Sequence, residues 1–150
     1  MPPARALPRT VASVVAAALL LSGCALSPTT DVTDQQARDR FITLVDAAQH
    51  AAGGTWQVKD DPSPRECAIP LWVTGARIPA LRTGPAPGDG IEEAAGRMQR
   101  HFTDSGMRTT VSEIGDVVEV RAETPAGELL LFRVSETAMT ITGESECRSA

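Results

Sequence analysis

The side chains best suited to nucleophilic, redox or metal chemistry in this 150-residue sequence are three cysteines, Cys24, Cys67 and Cys147, and two histidines, His50 and His101. No two cysteines stand in CxxC spacing and no basic residues gather around one, so nothing local would lower a thiol pKa. Both histidines fall near the ends of expected helices, where the helix dipole favours an imidazolium. A surface position is the simpler reading for each, and a general base is the sharper one. Asp60, Asp61 and Glu66 bunch beside two prolines and offer oxygens to a hard cation such as Ca²⁺, which takes about six to eight. Their spacing matches no calcium loop, so a solvated turn is expected. The sequence contains no Gly-x-Ser-x-Gly, no His-Glu-x-x-His and no phosphate-binding glycine loop. No catalytic residue, metal or cofactor is therefore expected. The alternative is a small hydrolase whose site is assembled in space from His50 or His101 and distant carboxylates.

Cys24 stands in a different setting. Arg5 and Arg9 make a positive start, and Val11 to Leu21 is an apolar run broken by Ser13. A hydrocarbon core needs roughly 20 apolar residues, so this run suits a secretory signal better than a membrane span. It ends in Leu21-Ser22-Gly23-Cys24, which resembles the lipobox of bacterial lipoproteins. Small residues precede the acceptor there so that a peptidase can approach the backbone. The resemblance implies a thioether-linked diacylglycerol on Cys24 and cleavage before it. Two acyl chains, at ~0.8 kcal/mol per buried methylene, would then hold the chain at the extracytoplasmic face of the cell membrane. An ordinary signal peptide with a chance cysteine is the alternative. Ala25 to Val32 shows no periodicity and reads as a flexible tether, so the chain divides into a signal (1–23), a tether (24–33) and one domain (34–150).

Without the first 23 residues the chain has 127, enough for one core and too few for two. Aromatics make up 3% and Tyr is absent, so aliphatic residues must supply the core, with Phe41, Phe102, Phe132, Trp56 and Trp72 as its large pieces. Charge argues against nucleic acid as a partner. The full chain carries 14 basic and 19 acidic residues, and loss of Arg5 and Arg9 leaves 12 against 19, a formal −7. Export would place Cys67 and Cys147 in an oxidising compartment, where they have one possible pairing. Closing a loop of that size stabilises a fold by ~4.5 kcal/mol in the chain-entropy model. A reactive thiol pair is the alternative, and two cysteines are too few for a structural zinc site.

Periodicity supplies the elements that would position these groups. Thr33 and Gln36 have capping-box spacing, and Ala37, Phe41, Leu44, Val45, Ala48 and Ala52 form a helical stripe ended by Gly53-Gly54. Short strands are expected at Thr55–Lys59 and Ala68–Ile78, with an irregular stretch between them. Pro79 to Gly90 reads as a loop because prolines and glycines crowd it. Asp89 is expected to cap a second helix with Ile91, Ala94, Ala95, Met98 and Phe102 on its apolar stripe. Four strands follow: Met107–Ile114, Val117–Glu123, Glu128–Val134 and Ala138–Thr142. The third is the most apolar and is expected to be covered on both faces. The order α-β-β-α-β-β-β-β, with short links, points to an α+β two-layer sandwich of two amphipathic helices on a mostly antiparallel sheet.

Gly54-Thr55-Trp56, Asp60-Asp61-Pro62, Cys67, Ile141-Thr142-Gly143 and Cys147, behind the lipobox, together resemble the LppA-type family of actinobacterial cell-envelope lipoproteins. The resemblance runs from about residue 34 to 148. It implies a lipid-anchored envelope domain with Cys67 paired to Cys147, and it carries no catalytic residue. The Pro79–Gly90 loop is the best candidate binding surface, with Arg77 and Arg82 at its start to meet an anionic partner and Trp72, like Trp56, able to line a groove. Passive loop and core roles are the plainer readings of these residues. Glu92-Glu93 and Glu144 with Glu146 read as ordinary solvated charge. The expected function is a non-enzymatic module that binds an envelope protein or an apolar or cell-wall ligand at the membrane surface, with a purely structural role as a further possibility.

Overall fold

The first helix begins as its sequence dictates. In the computed structural model, which describes residues 30–70 and 73–149, α1 spans Asp34–Ala52. Gln36 N–H donates to Thr33 Oγ1 at 3.2 Å and Thr33 N–H donates to Gln36 Oε1 at 2.9 Å, which closes the capping box. Ala37, Phe41, Val45, Ala48 and Ala52 are buried along one face. Gly53 ends the helix at φ +74°, its N–H bonded to Gln49 O and His50 O. The chain continues through β1 (Gln57–Val58), β2 (Arg65–Ile69), β3 (Val73–Arg77) and β4 (Pro79–Gly84) to α2 (Ile91–Asp104). It closes with β5 (Arg108–Ile114), β6 (Val117–Glu123), β7 (Leu129–Val134), β8 (Met139–Glu144) and β9 (Arg148–Ser149).

Two antiparallel sheets result. The larger has the order β1-β4-β8-β7-β6-β5 and the smaller β2-β3-β9. The fold is α+β, with two helices and antiparallel strands, as the periodicities imply. Alternation along β6, β7 and β8 sends Val120, Ala122, Leu130, Phe132 and Ile141 into one core with Phe41 of α1 and Phe102 of α2.

Besides the added final strand β9, the elements depart from expectation in three places. The single strand expected over Ala68–Ile78 is the β2–β3 hairpin, with Cys67 opposite Gly75. The segment expected to be a loop from Pro79 is strand β4 as far as Gly84. Its proline sits at the first strand position, where a missing N–H is tolerated, and its glycine at the last. There the Trp56 ring lies so close that a Cβ on Gly84 would approach it to 2.7 Å. Pro and Gly therefore punctuate the ends of this strand and leave a loop over 85–90. Third, α2 is preceded by Gly90 at φ +95° with no side-chain cap. Asp89 instead pairs with Arg97, whose Nε donates to Ala51 O at 3.1 Å, so the pair ties the start of α2 to the end of α1.

The Cys67–Cys147 disulfide is present, joining residues 80 apart at a Cα separation of 6.0 Å. It fastens the small sheet to the segment between β8 and β9. Gly75 leaves the room for this: a Cβ there would lie 2.8 Å from Cys147 Sγ and 2.6 Å from Arg148 O. Ile78 N–H donates to Ser145 Oγ at 2.8 Å and Ser145 N–H to Ile78 O at 2.9 Å, which hold the same junction. Among the described residues, no helix is long and apolar enough to cross a membrane. Cys24, the signal, most of the tether and Trp72 lie outside the described residues.

Candidate functional site

The helices cover one face of the six-stranded sheet, and the other face carries the candidate site. Register places Leu81 of β4, Thr142 of β8 and Leu131 of β7 in one row across the strands. Pro79, Glu144 and Leu129 form the next row. Leu129 and Leu131 are partly exposed, and Leu81 is 38% exposed. The expectation that β7 is covered on both faces is therefore corrected: Leu130, Phe132 and Val134 are buried beneath the helices, while Leu129, Leu131 and Arg133 point away from them. These leucines floor an open groove of about 480 Å³. Lys59, Asp61 and Arg65 also line it, from the segment between β1 and β2 and from the start of β2.

Local contacts fix that rim. Lys59 N–H donates to Leu81 O at 2.9 Å, which holds the Lys59 backbone against the floor strand. Asp61 Oδ1 accepts from the Ser63 amide at 2.9 Å, and this bond, with Arg65 nearby, holds the carboxyl below its ordinary range. Arg65 stands directly opposite Arg77 across the β2–β3 hairpin, two like charges on one face. Arg77 pairs through Nη1 with Glu144, and its Nε is buried with no hydrogen-bond partner.

The structure separates the residues that the sequence grouped as a binding surface. Arg82 is 4% exposed, on the helix side of β4. It donates to Asp60 Oδ2 at 2.9 Å, to Gln49 Oε1 at 2.9 Å and to Asp46. Burial disfavours its charge, but these carboxylates outweigh burial and raise its pKa. Arg82 thus locks α1 to β4, and its guanidinium is not presented to an outside anion. Arg77 is the last residue of β3, the central strand of the small sheet, and Trp72 lies outside the described residues.

The acidic cluster disperses too. Asp60 serves Arg82 and the Leu81 amide, Asp61 serves the Ser63 amide, and Glu66 is exposed on β2. No group of three or more metal-ligating side chains occurs among the described residues. Neither imidazole shares a side-chain hydrogen bond among the described residues. His101 packs against Phe102 with ring centroids 5.7 Å apart.

A second buried ionic network was not legible in the sequence. Glu146, expected to be solvated, is 2% exposed, and Glu128 is 1% exposed. Arg40 binds Glu128 at 2.7 Å and reaches Glu146 at 3.4 Å. Arg148 binds Glu146 at 2.6 Å and Asp34 at 2.7 Å. Thr30 Oγ1 donates to Glu146 Oε1 at 2.8 Å, so the chain is docked from Thr30 rather than from Asp34, where the tether was expected to end. The signal for this network was thin: a Thr124 to Glu128 spacing that looks like an ordinary turn until Thr124 Oγ1 donates to Glu128 Oε2 at 2.6 Å.

No family model matches the chain, and no curated protein matches it. It is similar in fold to the crystal structure, at 2.65 Å resolution, of a DUF4853 family protein from Actinomyces odontolyticus ATCC 17982. The two superpose with a TM-score of 0.54 at 17% sequence identity, over 77% of this chain and 66% of that one. The likeness concerns the fold, and this chain spans just under two thirds of that protein's length.

Proposed function

We propose that this protein is a lipid-anchored extracytoplasmic lipoprotein of the cell envelope, similar to the LppA type, that acts as a non-enzymatic binding module. One observation carries the reading: of the three cysteines, Cys67 and Cys147 are joined to each other, which leaves the lipobox cysteine, Cys24, outside the bridge. A disulfide is the economy of an oxidising compartment, and a thiol at the end of an apolar export signal is the acceptor a lipid anchor needs. Thr30, six residues beyond Cys24, is bonded to Glu146 and Arg148, so a tether from the anchor would be short. The open groove on the uncovered sheet face gives the module a concave apolar surface with charged groups at its rim, the usual composition of a ligand site.

Intact-mass measurement of the protein extracted from its native membranes tests the anchor. The expected mass is that of the chain from Cys24 plus a diacylglyceryl group, and Cys24→Ser is expected to leave the precursor uncleaved. An unmodified thiol on a chain starting at Cys24, or an unmodified precursor in the wild type, would overturn the reading.

A further inference from the structure

We propose that the groove on the uncovered face of the large sheet binds a single-chain anionic amphiphile, with the tail along Leu81, Leu129 and Leu131 and the head group between Lys59 and Arg65. The inference rests on the binding-module reading and names that module's site and ligand class.

Size selects a single chain. The floor crosses three strands at ~4.8 Å spacing and spans two alternate residues of β7, so it is roughly 10 Å by 7 Å. A specific protein interface takes about 800 Å² from each partner, far more than this strip supplies. The cavity of about 480 Å³ lies in the range of small-molecule sites, ~300–1,000 Å³. The three leucines offer the tail no hydrogen-bonding group, and each methylene withdrawn from water favours binding.

Charge selects the head group. Acidic residues outnumber basic ones by 19 to 14 in the sequence, whereas around this mouth the two are equal in number. Lys59 and Arg65 line it together with two carboxylates, Asp61 and Glu144. Both carboxylates are committed, Glu144 to Arg77 and Asp61 to the Ser63 amide. Lys59 and Arg65 form no ion pair among the described residues. Lys59 is also the sole lysine of the sequence, and its backbone bond to Leu81 O stations it at the edge of the apolar floor. An unpaired ammonium and guanidinium beside a strip of leucines complement a carboxylate or phosphate ester carrying one alkyl chain.

The test uses residues 24–150 produced without the signal and carrying Cys24→Ser, so that the anchor and the ligand are examined separately. Titration calorimetry compares laurate, dodecanol and dodecyltrimethylammonium, which share a tail and differ in head charge. Laurate is expected to bind one to one, dodecanol about tenfold or more weakly, and the cation not at all. Lys59→Glu with Arg65→Glu is expected to weaken laurate by about tenfold or more, whereas Arg100→Glu, on the exposed side of α2, leaves it unchanged. Leu131→Glu is expected to abolish binding, and Leu81→Glu provides the same test at a second exposed position should the first variant unfold. Equal binding of laurate and dodecanol would overturn the proposal, as would indifference to the double charge reversal. Binding to phosphatidylglycerol vesicles without binding of monomeric laurate would overturn it in favour of docking on a membrane surface. Any of these failures leaves the mass of the anchored form at Cys24 untouched, and an unmodified Cys24 leaves the laurate result untouched.

Discussion

Leu130 and Leu131 are neighbours in the chain and opposites in the structure. Leu130 is fully buried beneath the helices, whereas Leu131 lies on the face that no helix covers. The same contrast runs across the whole large sheet. Its inner face carries Val120, Phe132 and Ile141 against two amphipathic helices, and its outer face carries leucines, threonines and ion pairs such as Glu119–Arg133 at 2.7 Å. An apolar residue on the inner face is held by packing that its loss would leave as a void. On the outer face the same residue type is held by little, so its presence there calls for another explanation, and a ligand supplies one.

The largest expected effect tests what stands beside the outer face. Cys147→Ser opens the loop of 80 residues and releases the β2–β3 hairpin that carries Arg65. The expected loss is about 4.5 kcal/mol by chain entropy, read from the urea midpoint of the oxidised wild type against the variant. A loss below about 1 kcal/mol would show that the hairpin is held without the bridge. Next comes the two-face comparison in its sharpest form. Phe132→Ala is expected to lose about 3–5 kcal/mol, and Leu131→Ala less than about 1 kcal/mol. Equal losses would mean that Leu131 is packed as a core residue and the two faces do not differ in kind.

The same contrast explains what could be read in the sequence. Helical stripes were legible because one period in Ala37, Phe41, Val45 and Ala48 has one interpretation, a buried face. The cap at Thr33 and the pairing of Cys67 with Cys147 were legible because each rests on a rule with few alternatives. β7 misled because Leu129, Leu130 and Leu131 are apolar on both faces, and periodicity does not say what covers a face. The run that suggested double coverage marks the groove floor instead. β4 was hidden by Pro79 and Gly84, which sit at its two ends. Arg82 and Glu146 looked like surface charge because their partners are remote in sequence, 36 and 22 residues away for Asp46 and Asp60, and 116 away for Thr30. Trp56, Asp60 and Gly143, which help carry the family resemblance, have plain structural duties. Trp56 Nε1–H caps Gly53 O at 2.7 Å, and Gly143 admits the Phe41 ring to within 3.1 Å of where its Cβ would lie.

Arg82 sharpens the comparison from the polar side, since it is a charge on the covered face. Arg82→Met keeps the length of the side chain and strands Asp60, whose side chain is 19% exposed. The expected loss is about 2 kcal/mol, less than for a fully buried pair because Asp46 is 60% exposed and already well solvated. Asp46→Asn is expected to lose under about 1 kcal/mol, and a double-mutant cycle separates the pair from the rest of the network. An Arg82→Met variant as stable as wild type, with weakened laurate binding, would return Arg82 to the binding surface that its sequence position suggested.

The smallest effect concerns Asp89, which caps no helix but binds Arg97. That bond holds the Asp89 carboxyl below its ordinary range. A depressed carboxylate stabilises the folded form at neutral pH, and the contribution fades as pH falls through the ordinary carboxylate range toward the lowered folded value. Asp89→Asn should therefore change stability slightly at neutral pH and not at all once the wild-type carboxyl is protonated. The pair sits at the α1–α2 junction, and neither residue lines the groove. Laurate binding at the groove is accordingly expected to be the same in Asp89→Asn and wild type at neutral pH. A difference confined to the variant would mean that the covered and uncovered faces are coupled through the helices, and that the groove is set by packing on the opposite side of the sheet.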